Sequence, residues 1–247
     1  MQLALRPILA EMTDFYRTPR TPARFEQYLK MLYADTNKDL GLPIVGFNPM
    51  GKEHLLDKLS ELQAVHAEEI VREEIDRFNA EYAATGSDRY TVVLNLADDV
   101  GGAWTNHHET DYAARFRLNP LMERRFCVPY LYASRSYTAA QLREEVVAAF
   151  RRTHYWTYHR KPRSLGDHIH QETYALRDHS ALGDPREIEL LLPEVAAFYH
   201  QHKAEDDHAL IFNFLYGDEA SAALGYRHYG VPRNGGLEYA RRQSLRT

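Results

Sequence analysis

Between residues 52 and 82 the chain carries neither glycine nor proline, and its apolar side chains recur at helical spacing. Leu55, Leu59, Leu62, His66 and Ile70 make one row, and Val71, Ile75, Phe78 and Tyr82 continue it on the adjacent row. Steps of three and four residues place these side chains on one face of a helix. The pattern therefore predicts a long central helix of about 45 Å, from a rise of about 1.5 Å per residue. His66, alone on that face, reads as a hydrogen-bonded core residue. An apolar stripe of this length must be buried against other elements, so the rest of the chain has to supply a partner layer.

That layer is mixed. Residues 22–34 place Phe25, Tyr28, Leu29, Leu32 and Tyr33 on one helical face, with Thr21 as N-cap and Pro22 at the first helical position. Residues 42–51 read as a short buried strand that ends in a turn. Residues 90–96, rich in β-branched and apolar side chains, read as a second strand. A third covers 126–133, where Pro129 demotes it toward a sheet edge or a bulge. Thr138 caps a clear amphipathic helix with Leu142, Val146, Ala149 and Phe150 on one face. Asp167 is positioned to cap a short helix through about Asp178, and Pro185 to start another through about Lys203. Residues 208–217 are apolar without a clear period, which suits either strand or buried helix. The expectation is an α+β or α/β fold: one helix-rich globular domain over residues 1–247, with a small sheet, a long central helix and residues 1–40 as an N-terminal helical cap.

Composition excludes several classes. The chain has 247 residues, 44% hydrophobic and 26% charged, with a formal net charge of -5. It has no basic excess for nucleic acid or an anionic membrane, and no apolar run of membrane-spanning length. Cys127 is a single cysteine between Phe126 and Val128, which suggests a buried, inert thiol in a reducing compartment. No signal-peptide pattern opens the chain, so the expectation is a soluble cytoplasmic protein. The chain is histidine-rich, with 13 histidines, mostly in pairs or clusters. Histidine serves both as a metal ligand and as the side chain that titrates near neutral pH.

Two segments concentrate the chemistry. Residues 95–111, NLADDVGGAWTNHHETD, follow a strand-like run, and ligands often sit in loops just beyond strand ends. Asp98, Asp99, His107, His108, Glu109 and Asp111 supply oxygen and nitrogen donors, and Trp104, Asn106 and Tyr112 can shape a pocket. Residues 166–183 carry His168, His170, Glu172, Tyr174 and His179. As a helix they gather His168, Glu172 and His179 near one face; as a strand they alternate His168, His170 and Glu172. Either arrangement offers two histidines and a carboxylate, the donor set of a zinc, iron or manganese site. A third segment, VPRNGGLEYARR, opens a helix with two glycines beside Arg233, where free N–H groups suit an anion. The phosphate loops GxxxxGK[ST] and GxGxxG and the nucleophile motif GxSxG are absent.

The functional expectation is metal-assisted hydrolysis in one pocket lined by both histidine-rich segments. His107, His108, His168 and His170 would ligate one divalent metal, Glu109 and Glu172 would move protons, and Asp98, Asp99, Trp104, Asn106 and Tyr174 would contact a small-molecule ligand. The alternative is a non-catalytic small-ligand binder or interaction domain, to which 17 tyrosines, scattered arginines and a homodimer through the long helix are suited.

Overall fold

The computed structural model describes residues 1–33, 39–102, 104–177 and 185–245. It resolves into two units, Met1–Thr153 and His154–Thr247.

The first unit is built on parallel strands. β1 (Gln2–Leu5) is followed by α1 (Leu9–Arg17), α2 (Pro22–Tyr33), α3 (Glu53–Ala64) and α4 (Ala67–Glu81) before β2 (Arg89–Val92) and β3 (Asn95–Ala97). Then come α5 (His107–Phe116), α6 (Asn119–Glu123), β4 (Phe126–Cys127), β5 (Tyr130–Tyr132) and the start of α7 (Ala139–Tyr158). β1 lies parallel to β2, with Gln2 opposite Arg89. On the other side of β2, Thr91 faces Phe126, and further along Asn95 faces Tyr130. One register therefore runs through both pairings. It is interrupted at residues 128–129, between β4 and β5, where Pro129 has no backbone N–H to donate but its carbonyl still accepts from the Asn95 N–H at 3.0 Å. Long helical crossovers are what parallel neighbours need. The opening residues, expected as part of a helical cap, instead supply the first strand of the sheet.

The segment 52–82 is two helices, α3 and α4, rather than one long helix. At the junction His66 adopts a left-handed conformation with φ 56 and lies exposed, 3.3 Å from Glu69. The reason is a slip of phase: buried positions run Leu55, Leu59, Leu62 and then Ala67, Ile70, Val71, one residue out of step. A straight helix cannot keep both sets on the core, so the chain turns and His66 leaves it. The face read on α2 also differs, because Tyr28 and Leu32 are buried while Phe25 and Tyr33 are exposed, and Arg24 is buried in their place.

Residues 42–51 form no strand. Pro43, Gly46 and Pro49 deny the segment a regular ladder. It lies instead as a loop against β3, with Asn95 Nδ2 donating to the Pro43 carbonyl at 3.0 Å. A Cβ on Gly46 would stand 2.8 Å from Asn95 Oδ1, so this approach admits only glycine. The core of this unit joins Met12, Phe15, Phe47, Leu55, Leu59, Val92, Leu131, Leu142, Val146 and Phe150. Cys127 lies in it; burial pushes its thiol up to about 12, in keeping with an inert cysteine.

The second unit is helical among the described residues: α8 (Leu165–Ala175), α9 (Pro185–His202), α10 (His208–Tyr216), α11 (Asp218–Ala222) and α12 (Gly235–Ser244). The ambiguous run 208–217 is helix α10, buried throughout from Leu210 to Tyr216, which accounts for its missing period. α8 is capped by Ser164, whose Oγ accepts from the Asp167 N–H while the Asp167 carboxylate accepts from the Ser164 N–H. Asp167 is thus the reciprocal partner in a capping box rather than the cap itself. Asp178 lies outside the described residues. Gly236 allows α12 to approach α10, since a Cβ there would meet the Phe214 carbonyl at 2.5 Å. The glycine pair expected to cradle an anion serves helix packing. No described helix is long and apolar enough to cross a membrane.

Candidate functional site

Strand β3 ends at Ala97, and the next two residues are Asp98 and Asp99. Each aspartate holds one imidazole. Asp98 accepts from His54 Nε2 at 2.9 Å and from Asn48 Nδ2 at 2.8 Å. Asp99 meets His107 Nδ1 at 2.7 Å, and its two oxygens accept from the Ser134 N–H at 2.9 Å and Ser134 Oγ at 2.6 Å. The carboxylates are buried, with 3% and 2% of their side chains exposed, while each histidine is 34% exposed. The imidazoles thus reach outward from a buried anionic base.

Local sequence explains these positions. Asn106 caps α5, its side chain accepting from the Glu109 N–H, and so sets His107 at the first helical position. The Ser134 backbone follows β5, whose pairing with β3 continues as the Ala133 N–H donates to the Ala97 carbonyl at 2.9 Å. Asp99 therefore ties the carboxyl ends of two parallel strands, the end at which open parallel sheets characteristically bind ligands. His107 packs against the Tyr132 ring at 4.2 Å, and Tyr132 OH donates to Asp111 at 3.2 Å. The Asp98 N–H donates to the Gly46 carbonyl, and Trp104 Nε1 donates to the Val45 carbonyl, which fastens loop 42–51 beside the pair.

Burial alone would raise the Asp99 carboxyl, but the hydrogen bonds from His107 and Ser134 outweigh it and hold the group below the usual carboxylate range. An ionised Asp99 fixes the His107 tautomer with hydrogen on Nδ1 and the lone pair on Nε2. Among the described residues His107 Nε2 has no hydrogen-bond partner. Such a nitrogen can accept a proton. Serine is present but bonds to the aspartate rather than the imidazole, so this is not the arrangement that activates a serine nucleophile.

A cavity of about 430 Å³ is walled by Val45, Ala113, Ala114, Leu121 and Tyr130 with Thr105, Glu109 and Arg117 as polar members. Gly46 and Thr105, both hydrogen-bonded to the Asp98 backbone, border it, while His54, Asp98, Asp99 and His107 are not among its lining residues. Glu109 stands 3.8 Å from Arg117. Trp104 is 41% exposed, and Asn106 has a structural role as the cap. His108 meets the His107 ring edge-on at 5.2 Å.

The other histidine-rich segment belongs to the second unit. Helix α8 buries His168 and Glu172 on one face and leaves His170 exposed, so the alternating strand arrangement of His168, His170 and Glu172 does not form. His168 Nδ1 bonds the Ser164 carbonyl at 2.8 Å, and His170 Nδ1 pairs with Tyr155 OH at 2.8 Å. Tyr174 OH pairs with His154 Nδ1 at 2.8 Å. Glu172 is fully buried beside Gln171, whose Nε2 donates to it at 3.1 Å. Burial pushes His154 down to about 4, with neighbouring His159 adding to the shift, and burial lowers His168 as well. His179 lies outside the described residues. Among the described residues, no group of three or more His, Cys, Asp or Glu side chains is placed to hold a metal ion.

Sequence reading found Asp98, Asp99, His107 and Glu109 but missed His54, Asn48 and Ser134. A signal for His54 was present, since it sits in the first turn of a helix directly after the turn NPMGK. Ser134 carried none, because its role depends on strand pairing. Comparison with known protein families, with characterised proteins and with solved structures returns no match.

Proposed function

We propose that the first unit carries an acid–base catalytic centre that hydrolyses a small molecule, with His107 as general base. The observation that supports this most is the buried Asp99 carboxylate, just past the carboxyl end of parallel strand β3, bonded to Nδ1 of a His107 side chain that is 34% exposed. Nε2 takes a proton from water, and Asp99, pinned by Ser134, stabilises the imidazolium that forms. His54, oriented by Asp98 through Nε2, offers Nδ1 as a second proton carrier. The cavity beside Glu109 and Thr105 receives the apolar part of the substrate.

Metal-assisted hydrolysis is the second reading, favoured by one feature. Histidines that ligate zinc commonly give their other ring N–H to a carboxylate, as His54 and His107 do. In that version a divalent ion would use His54 Nδ1 and His107 Nε2, together with water, to lower the pKa of its bound water.

A panel of chromogenic carboxylic, phosphoric and amide esters, run on wild type, His107→Ala and Asp99→Asn, tests the proposal. Turnover that both substitutions reduce by at least about 10²-fold supports general-base catalysis. Turnover indifferent to both would sink it. Stoichiometric metal in wild type, lost in His54→Ala and His107→Ala, would select the second reading. Saturable binding without turnover would make the cavity a non-catalytic binding site.

A further inference from the structure

Arg24 carries a full charge at 3% exposure. Its guanidinium donates to the Thr18 carbonyl at 3.2 Å and the Gly51 carbonyl at 3.1 Å, and it lies over the rings of Phe15 and Tyr16 at 5.1 and 4.9 Å. Among the described residues no carboxylate comes within ion-pair reach of it, and its Nε has no hydrogen-bond partner. Neutral carbonyls and ring faces compensate a buried charge only in part, because burying an ion without a counter-charge is costly.

The same side chain lines a cavity of about 390 Å³, within the range of small-molecule sites of about 300–1,000 Å³. Arg17, Arg20 and Lys52 line it too, with Glu53 as its single lining carboxylate. Arg17 is drawn to Asp14 at 3.1 Å, and Arg20 stands 3.9 Å from an exposed Glu53. Four cations facing one carboxylate is an unusual concentration in a chain whose net charge is -5. The opening turn of α3 adds its share, since the first N–H groups of a helix have no intrahelical acceptor and carry the positive end of its dipole.

From the buried, uncompensated Arg24 facing a cavity rimmed by Arg17, Arg20 and Lys52 at the start of α3, we infer a site for the phosphate group of a small phosphorylated molecule. Phosphate is the match because it supplies two negative charges and several acceptor oxygens, which planar guanidinium groups meet in parallel pairs. The cavity's volume leaves room for an attached organic group. This inference is independent of the catalytic role given to His107.

The test is calorimetric titration of the whole chain with phenyl phosphate and with inorganic phosphate, at low and high salt. One saturable site per chain is expected, weaker at high salt because charge attraction is screened. Arg20→Glu and Lys52→Glu, both on exposed side chains, should each weaken binding about tenfold or more, as loss of a charge-assisted contact does. Glu53→Gln should tighten it, and His107→Ala should leave it unchanged. Arg24→Gln, checked for folding by circular dichroism, should abolish binding. Tighter binding of phenyl phosphate than of the free ion marks a phosphorylated molecule as the occupant, and the reverse order would replace it with free phosphate. Absence of saturable binding, or binding indifferent to Arg20→Glu and Lys52→Glu, would overturn the site.

Discussion

Two histidine-rich stretches that look equally chemical in the sequence are put to different physical uses. In the first unit, His54 and His107 rest on buried carboxylates and keep a nitrogen toward solvent. In the second, His154, His168 and His170 are partnered by tyrosines and a backbone carbonyl. Burial disfavours the protonated rings of His154 and His168, while His170 stays exposed. The difference teaches that a histidine's prospects are set by what stands behind it, and that neighbours in sequence say little about that.

The comparison can be broken most easily through activity. His107→Ala should reduce any turnover by about 10²- to 10⁴-fold, the span of a general base, while His170→Ala should leave it unchanged. Rates measured on the best ester of the panel decide this, and equal losses in the two variants would erase the distinction.

Acid should separate the units next. A histidine whose folded pKa is depressed adds stability that is present above its unfolded value near 6.5 and lost as pH falls. For His154, pushed down to about 4 chiefly by burial, the loss falls between about pH 6.5 and 4 and is roughly 3 kcal/mol. Asp99, whose hydrogen bonds hold it low against burial, gives up its contribution only below the ordinary carboxylate range near 4. Each unit holds one tryptophan, Trp104 or Trp156, and Trp156 Nε1 donates to Gln171 at 2.7 Å. Fluorescence of Trp104→Phe, which retains Trp156, should therefore change at higher pH than that of Trp156→Phe.

Two smaller effects sharpen the contrast. Asn106→Ala removes the cap that sets His107 and should cost about 1 kcal/mol, read as a lower urea midpoint with lower turnover. Tyr155→Phe removes a single partly exposed hydrogen bond to His170 and should cost under about 1 kcal/mol with no change in rate.

Much of the helical content was legible because amphipathic spacing is a local property, as in α2, α7 and the two halves of 52–82. The break at His66 was visible only as a one-residue slip in the buried rows, which a tolerant reading of steps of three and four passes over. Loop 42–51 was misread because apolar composition resembles a strand, although its prolines forbid a ladder. Asp98, Asp99 and His107 stood out as polar residues beyond a strand. Their partners His54 and Ser134 did not, for they arrive from positions 44 and 35 residues away in the chain. Arg24 was hidden for a related reason: a helical wheel assigns an arginine to solvent, and only the ring faces of Phe15 and Tyr16 make its burial intelligible.

Loop 42–51 accepts the Asp98 N–H through Gly46, supplies Asn48 to the Asp98 carboxylate and takes the Trp104 indole N–H at Val45. These links fasten a segment that has no ladder of its own to the residues that orient His54. Opening of the loop would take the Asn48 amide and the Gly46 carbonyl away from Asp98, the residue that orients His54. Exchange of the Asp98 amide hydrogen, whose acceptor is the Gly46 carbonyl, therefore measures how often this loop leaves the end of β3.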